Sequence, residues 1–187
     1  MLIRQTSLVF LEVLMSKQVI LCMETNKQKR TDYVYIQCVL NHYFEKDQNI
    51  VQTPVFMGTK SRYNHQKVIK EIETNIKAFH GSSHVIYFID MDHIASSPED
   101  VKLLDDIIKY CEQKKYDLVL FNNDIEDVFW GESVKDGEKV QKATMFRSNK
   151  RINEVSTSSL CASNPSRHKS NILNILKKYW TRKDGDT

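Results

Sequence analysis

Short unbroken apolar runs alternate along this chain with longer stretches in which apolar residues return every three or four positions. The runs at residues 18–23, 50–57, 85–89 and Asp117–Phe121 predict strands. The run at 85–89 (VIYFI) lacks polar alternation, the pattern of a parallel strand covered on both faces. Residues 31–46 place Tyr35, Val39 and Tyr43 on one helical stripe, with Thr31 or Asp32 available as N-cap. A polar loop at 58–64 precedes a second helix at 65–79. The third helix is the best marked. Ser97 stands as N-cap, Pro98 at the first position, and Glu99 and Asp100 in the first turn. Val101, Leu104, Ile107, Ile108 and Cys111 then form its apolar stripe. After Trp130 the pattern decays until residues 168–180 predict a final amphipathic helix carrying Ile172, Leu173, Ile175 and Leu176. The order βαβαβαβ predicts an α/β fold with a mainly parallel four-stranded sheet, helices on both faces, and a mostly helical C-terminal extension. Residues 15–130 form the core in this reading and 131–187 the extension. Residues 1–14 read as a leader before a start at Met15.

Composition narrows the class. The 187 residues, 41% hydrophobic and 27% charged, suffice for one sizeable core and not for two ordinary domains. Cys22, Cys38, Cys111 and Cys161 are far apart and form no CxxC pair. The first three lie in apolar periodic stretches, which predicts buried free thiols in a reducing cytoplasm rather than a zinc site. No run approaches the roughly 18–20 apolar residues of a membrane span. Glu12 interrupts the early apolar stretch, against a signal peptide.

The formal net charge of +3 conceals an asymmetry. Residues 90–138 hold fourteen Asp and Glu against five Lys and Arg, whereas residues 139–183 hold eleven Lys and Arg against Glu154 alone. An acidic centre followed by a basic last quarter suits a metal site beside a polyanion-binding surface. A solvated basic tail is the plainer account.

The acidic centre opens with two aspartates at a strand tip, in HVIYFIDMDHI. Alternation predicts Asp90 and Asp92 on the same side of the extended chain, with Met91 opposite. Like charges that close repel unless a cation sits between them; the bland alternative is a strand-ending pair that caps a turn. Ligands of such sheets gather beyond the carboxyl ends of the strands. The first strand delivers Glu24 to that same edge. Three strand-end carboxylates predict a site for Mg²⁺ or Mn²⁺.

At these residues the chain resembles the TOPRIM fold, whose signature is a glutamate after the first strand and Asp-x-Asp after the third. Glu24 and Asp90-Met91-Asp92 match it. Within that fold it looks most like the RloB-like proteins of bacterial anti-phage and abortive-infection systems. Those continue past the fourth strand with an Asn-Pro-x-x-Glu type segment, similar to Phe121-Asn122-Asn123-Asp124-Ile125-Glu126 here. The resemblance covers residues 17–130. It departs at Thr25, where Gly usually follows the glutamate, and at Asn123, where Pro is usual.

The resemblance implies a cytoplasmic Mg²⁺- or Mn²⁺-dependent nuclease cleaving nucleic-acid phosphodiesters. Asp90 and Asp92 would be metal ligands. Glu24 would be a third ligand or a general acid/base, and Glu126 would hold a second cation, with Asp124 and Asp127 nearby. It is compatible with a homodimer and with an ATPase partner from a defence operon. Lys60 and Arg62, in the loop after the second strand, are candidate phosphate contacts. So are Arg167, His168 and Lys169, expected to open the last helix, where backbone N–H groups attract anions. His93, beside the Asp pair, reads as a loop histidine. Two other classes compete: a non-catalytic binding or regulatory subunit of a defence complex, and a glycosyltransferase that uses Asp-x-Asp to hold a nucleotide-sugar diphosphate.

Overall fold

The computed structural model describes residues 16–92 and 97–183. The leader reading for residues 1–14 lies outside the described residues. The four expected strands form one wholly parallel sheet in the order β2-β1-β3-β4, with β1 at Lys17–Met23, β2 at Ile50–Phe56, β3 at Ser82–Asp90 and β4 at Asp117–Phe121. Helices α1 (Thr31–Tyr43), α2 (Gln66–Ala78) and α3 (Pro98–Lys114) connect them. The fold is α/β, as the alternation of patterns predicts. Among the described residues no helix is long and apolar enough to cross a membrane.

The continuous apolar runs follow from coverage on both faces. In β1, Val19, Leu21 and Met23 enter one core, while Ile20 and Cys22 enter the other. In β3, Ile86 and Phe88 point one way, and Val85, Tyr87 and Ile89 the other. The first core is closed by α1, the second by α2 and α3. Burying that much apolar surface is the main favourable term, at about 25 cal/mol per Å².

Local signals set the boundaries of α2 and α3. His65 caps α2 by accepting from the Lys67 N–H, and Ser97 caps α3 by accepting from the Asp100 N–H, with Pro98 behind it. Along α3, Ile107 and Cys111 are buried as expected, but Val101 is 47% exposed, one turn before the helix meets the sheet. All four cysteines are free; Cys22 and Cys111 are buried, whereas Cys38 and Cys161 are half-buried.

The last third departs most from expectation. It folds as α4 (Ile125–Trp130), α5 (Lys139–Ser148), a 3₁₀ turn at Arg151–Glu154, α6 (Thr157–Leu160) and a short α7 (Ile172–Leu176). Helix α5 buries only Ala143 and Phe146 and leaves Val140 and Met145 exposed, so its apolar periodicity is faint. The expected helix at 168–180 begins only at Ile172, because the residues before it run along the edge of β4. Ser170 bridges Phe121, and Asn122 N–H donates to the Lys169 carbonyl at 3.0 Å. The Asn171 side chain accepts from Leu120 N–H at 2.8 Å and donates to the Leu118 carbonyl at 3.0 Å, as a neighbouring strand would. This seals an edge that would otherwise expose unpaired backbone groups.

Gly81 marks the tightest approach among the described glycines: a Cβ there would lie 2.2 Å from the Ser16 carbonyl oxygen. Gly81→Ala is expected to cost about 1–3 kcal/mol through overpacking against backbone. Gly137→Ala, which meets nothing within 4 Å, should stay within about 0.5 kcal/mol of the parent. Urea unfolding of both variants checks this; equal midpoints would refute the close contact.

Candidate functional site

Because β1 lies between β2 and β3, the chain leaves β1 toward one side of the sheet and later returns on the other. The crevice beyond β1 and β3 is therefore the topological switch point, where open α/β sheets bind ligands. Glu24 follows β1 and Asp90 ends β3, so both flank it. Glu24 Oε1 accepts from the Asp90 N–H at 2.7 Å, and Oε2 accepts from the Lys60 N–H at 3.2 Å. The glutamate thus ties three strand ends together rather than pairing with Lys27, Lys29 or Arg30.

The two aspartates do not share a side. Asp90 continues the strand register opposite Phe121, but Asp92 has φ 43, a left-handed conformation that breaks the alternation. Asp92 N–H donates to the Asn123 carbonyl at 2.6 Å, bending the chain over the end of β4. Asp92 is exposed and pairs with the Lys60 ammonium, which also donates to the Asp90 carbonyl at 3.3 Å and lies 3.9 Å from Asp100. Lys60 is accordingly a 13%-exposed component of the acidic edge, not a solvated loop charge. Arg62 is exposed, with its guanidinium near Gly58. His93 falls outside the described residues.

The departures from the TOPRIM pattern have physical accounts. Asn123 has φ 64, which the proline ring forbids. Thr25 keeps an ordinary negative φ and uses its side chain: its Oγ1 lies 3.1 Å from Thr31 Oγ1 and accepts from the Thr31 N–H at 3.3 Å. Neither Thr31 nor Asp32 is the N-cap of α1. Arg30 holds that position in a left-handed conformation, and Asp32 reaches back to accept from the Thr25 N–H at 2.9 Å.

Two residues that the sequence did not assign to the edge belong to it. Asp32 joins the carboxylates, and Lys139, at the start of α5, brings its ammonium to 3.2 Å from Glu126 Oε2. Glu126 is 1% exposed rather than a solvated helix-start acid. Lys139 thus pairs with Oε2, and among the described residues Oε1 has no hydrogen-bond partner. Asp124 caps α4 through the Asp127 N–H at 2.6 Å, and Asp127 holds His168, so neither competes with Glu126.

The electrostatics follow from this crowding. Burial, then the neighbouring Glu24, Asp32, Glu126 and Asp92, pushes the Asp90 carboxyl well above its ordinary range. Burial, with Asp32 and Asp92 adding, raises Glu24 to about 8 against the backbone bond from Asp90 and the Lys60 charge. Glu126 rises to about 7, burial again outweighing Lys139. Asp32 is also raised, by burial first. Burial opposes the Lys139 charge, but Glu126, Asp90 and Asp124 outweigh it and hold its pKa high.

Arg167, His168 and Lys169 do not open a helix. They lie in the turn before the β4 edge contact, His168 with φ 57. Much of the basic last quarter is engaged within the fold. Lys142 and Arg151 lie over the two-ring face of Trp130 at 4.5 and 4.4 Å, Arg182 lies over Tyr43, Lys178 pairs with Asp117, and Lys183 reaches the Asn41 carbonyl. Arg167 and Lys169 remain exposed.

The donor set is all carboxylate, suited to a hard cation, and one buried oxygen of Glu126, Oε1, has no hydrogen-bond partner among the described residues. Among the described residues, however, no group of three His, Cys, Asp or Glu side chains stands in an arrangement that would hold a metal ion; Lys60 and Lys139 supply the positive charge instead. No known protein family, curated protein or solved structure matches the chain.

Raised carboxyl pKa values set the direction of the pH dependence. Glu24 and Glu126 ionise near 4.5 when unfolded and near 8 and 7 when folded. Between those values the unfolded chain binds fewer protons, so stability is greatest at low pH and is lost as pH rises through the folded pKa. The melting temperature should fall by roughly 5–10 °C between about pH 5.5 and about pH 8.5. Asp90→Asn should melt higher than the parent at the upper pH, by calorimetry, because one buried charge is removed. A parent that gains stability with rising pH would contradict the buried-carboxylate account.

Proposed function

We propose that the acidic edge is a divalent-cation site for phosphodiester cleavage of nucleic acid. The observation that supports this reading is Glu126, 1% exposed, with Oε1 lacking a hydrogen-bond partner among the described residues and close enough to Asp90 to raise its pKa. Strongly perturbed carboxyls in a crevice mark functional sites more often than structural ones. Asp90, Glu24 and Glu126 do not stand around one point, so to hold Mg²⁺ or Mn²⁺ their side chains would have to turn toward a common ion, with Asp32 adding to the negative potential. A bound divalent cation polarises a phosphate oxygen and stabilises charge on the attacking and leaving oxygens.

The chain's own groups have distinct tasks in this reading. Lys60 neutralises Asp92 and, once that carboxylate turns to a cation, is free to meet a phosphate. Glu24 ties the end of β1 to the end of β3 through the Asp90 N–H and to the loop after β2 through the Lys60 N–H. Arg167 and Lys169 present charge toward the polyanion. The likeness to TOPRIM and RloB-like proteins at Glu24, Asp90, Asp92 and Glu126 supports the same reading and extends it to a role in anti-phage defence.

The ion pairs favour a second reading. If Lys60 and Lys139 are permanent counter-ions, the edge is a neutralised relic, and the chain is a binding subunit of a larger complex. Mg²⁺ or Mn²⁺ binding only the folded site stabilises by mass action, about 2.7 kcal/mol at one hundred times Kd. Melting temperature should therefore rise with either ion in the parent and not in Asp90→Asn. Identical responses in both proteins would leave only the relic reading.

The polyanion surface has its own test. Binding to a single-stranded oligonucleotide should weaken steeply with salt through counterion release. Arg167→Ala with Lys169→Ala should lower the slope of log K against log salt by about one unit per lost phosphate contact. A slope untouched by the double substitution would remove these residues from the interface.

A further inference from the structure

His168 lies outside the carboxylate cluster, yet it is held as a reactive imidazole is held. Its Nδ1 lies 2.9 Å from Asp127 Oδ2, and its Nε2 accepts from Arg167 Nε–H at 3.0 Å. An Nε2 that accepts must carry its lone pair, so the hydrogen-bond network assigns the neutral tautomer with the proton on Nδ1, donated to Asp127. The orienting carboxylate is 9% exposed, whereas the imidazole is 34% exposed. One ring nitrogen is buried against a fixed acceptor, and the other faces outward beneath a movable guanidinium.

The backbone is arranged to keep it there. His168 has φ 57, a conformation uncommon outside glycine and sustained only where neighbours over-determine it. Those neighbours are on both sides: Lys169 N–H donates to the Ser166 carbonyl at 2.9 Å, and Ser170 N–H to the Ser159 carbonyl at 2.7 Å. The Lys169 carbonyl takes the Asn122 N–H, one residue beyond Phe121, whose register partner is Asp90. Asp127 in turn follows Glu126 on α4. The dyad is thereby held beside the carboxyl end of β4, the neighbour of the strand that Asp90 ends.

We propose that His168, oriented by Asp127, is the general base of this site. The proposal rests on the phosphodiester reading above. When a substrate phosphate draws the Arg167 guanidinium onto its oxygens, Nε2 is freed. A water molecule at phosphorus gives a proton to Nε2 as its oxygen forms the new P–O bond. The ester P–O bond breaks, the leaving oxygen takes a proton from solvent, and the imidazolium returns its proton to solvent. Arg167 is in this scheme a phosphate contact whose departure exposes the base, which couples substrate binding to base activation.

The test has two arms, both on the full chain. Long-range ¹H–¹⁵N NMR of the imidazoles should show His168 protonated on Nδ1 in the parent and on Nε2 in Asp127→Asn, where the amide offers an N–H to Nδ1. A parent protonated on Nε2 overturns the dyad. With Mn²⁺ and bis(4-nitrophenyl) phosphate, His168→Gln should lower kcat by about 100-fold or more, with KM, melting temperature and the Mn²⁺-induced shift unchanged. Turnover by His168→Gln equal to the parent overturns the proposal. A parent without a Mn²⁺-induced shift would instead sink the cation reading, and the NMR arm separates that failure from a failure of the dyad.

Discussion

Several carboxyl groups brought out of water at one end of a sheet form the constraint on which the rest of this structure depends. Each alone would cost several kcal/mol if ionised and unpaired. The fold meets that cost in three ways: backbone N–H groups from Asp90 and Lys60 bond Glu24, raised pKa values leave protons on the acids, and two lysines lie alongside. Lys60 comes from the loop after β2 and Lys139 from α5, so the acidic edge is also what ties the sheet to the C-terminal third. Removing a lysine would leave a buried acid unpaired, and removing an acid would relieve its neighbours. The acidic edge is thus a source of instability that the surrounding elements contain.

The C-terminal third is integral to the sheet for a related reason. Phe146, Ile152, Leu160, Leu173 and Trp180 complete the core on the α1 face, and residues 169–171 close the β4 edge. That edge contact requires an extended approach, which rules out helix over the same residues and forces the turn in which His168 sits. Sealing the sheet and placing the imidazole are consequences of one backbone path.

What was legible in the sequence sorts by the range of the interaction that decides it. Strands β1 and β3 could be read because continuous apolar runs encode two-sided burial, and α3 because Ser97 and Pro98 encode its start locally. Glu24 and Asp90 could be placed because strand order and strand ends suffice to locate them. Asp32 and Lys139 could not be placed, since their roles arise from through-space proximity to Asp90 and Glu126 across elements far apart in sequence. Period-two alternation put Asp92 beside Asp90 and failed, because the hydrogen bond to Asn123 ends the strand one residue too early. Helix α5 escaped notice because only Ala143 and Phe146 face the core.

The paired left-handed residues Asp92 and Asn123 show how the last step of site construction differs from the rest. Strand formation aims Asp90 into the crevice by periodicity alone, a robust outcome that any good β-former sequence at β3 would share. Turning Asp92 out toward Lys60 needs two residues in a sparsely populated region, bridged to each other and each stabilised elsewhere: Asp92 by Lys60, and Asn123 by the Ser133 hydroxyl, which accepts from its amide at 2.6 Å. A proline at 123 would forbid that geometry, and with it the separation of the two aspartates into one buried and one exposed carboxylate. The asparagine at 123 is therefore coupled to the departure from simple alternation at Asp92. Asparagine, which tolerates left-handed backbone and supplies a donor, is a residue that can satisfy both demands.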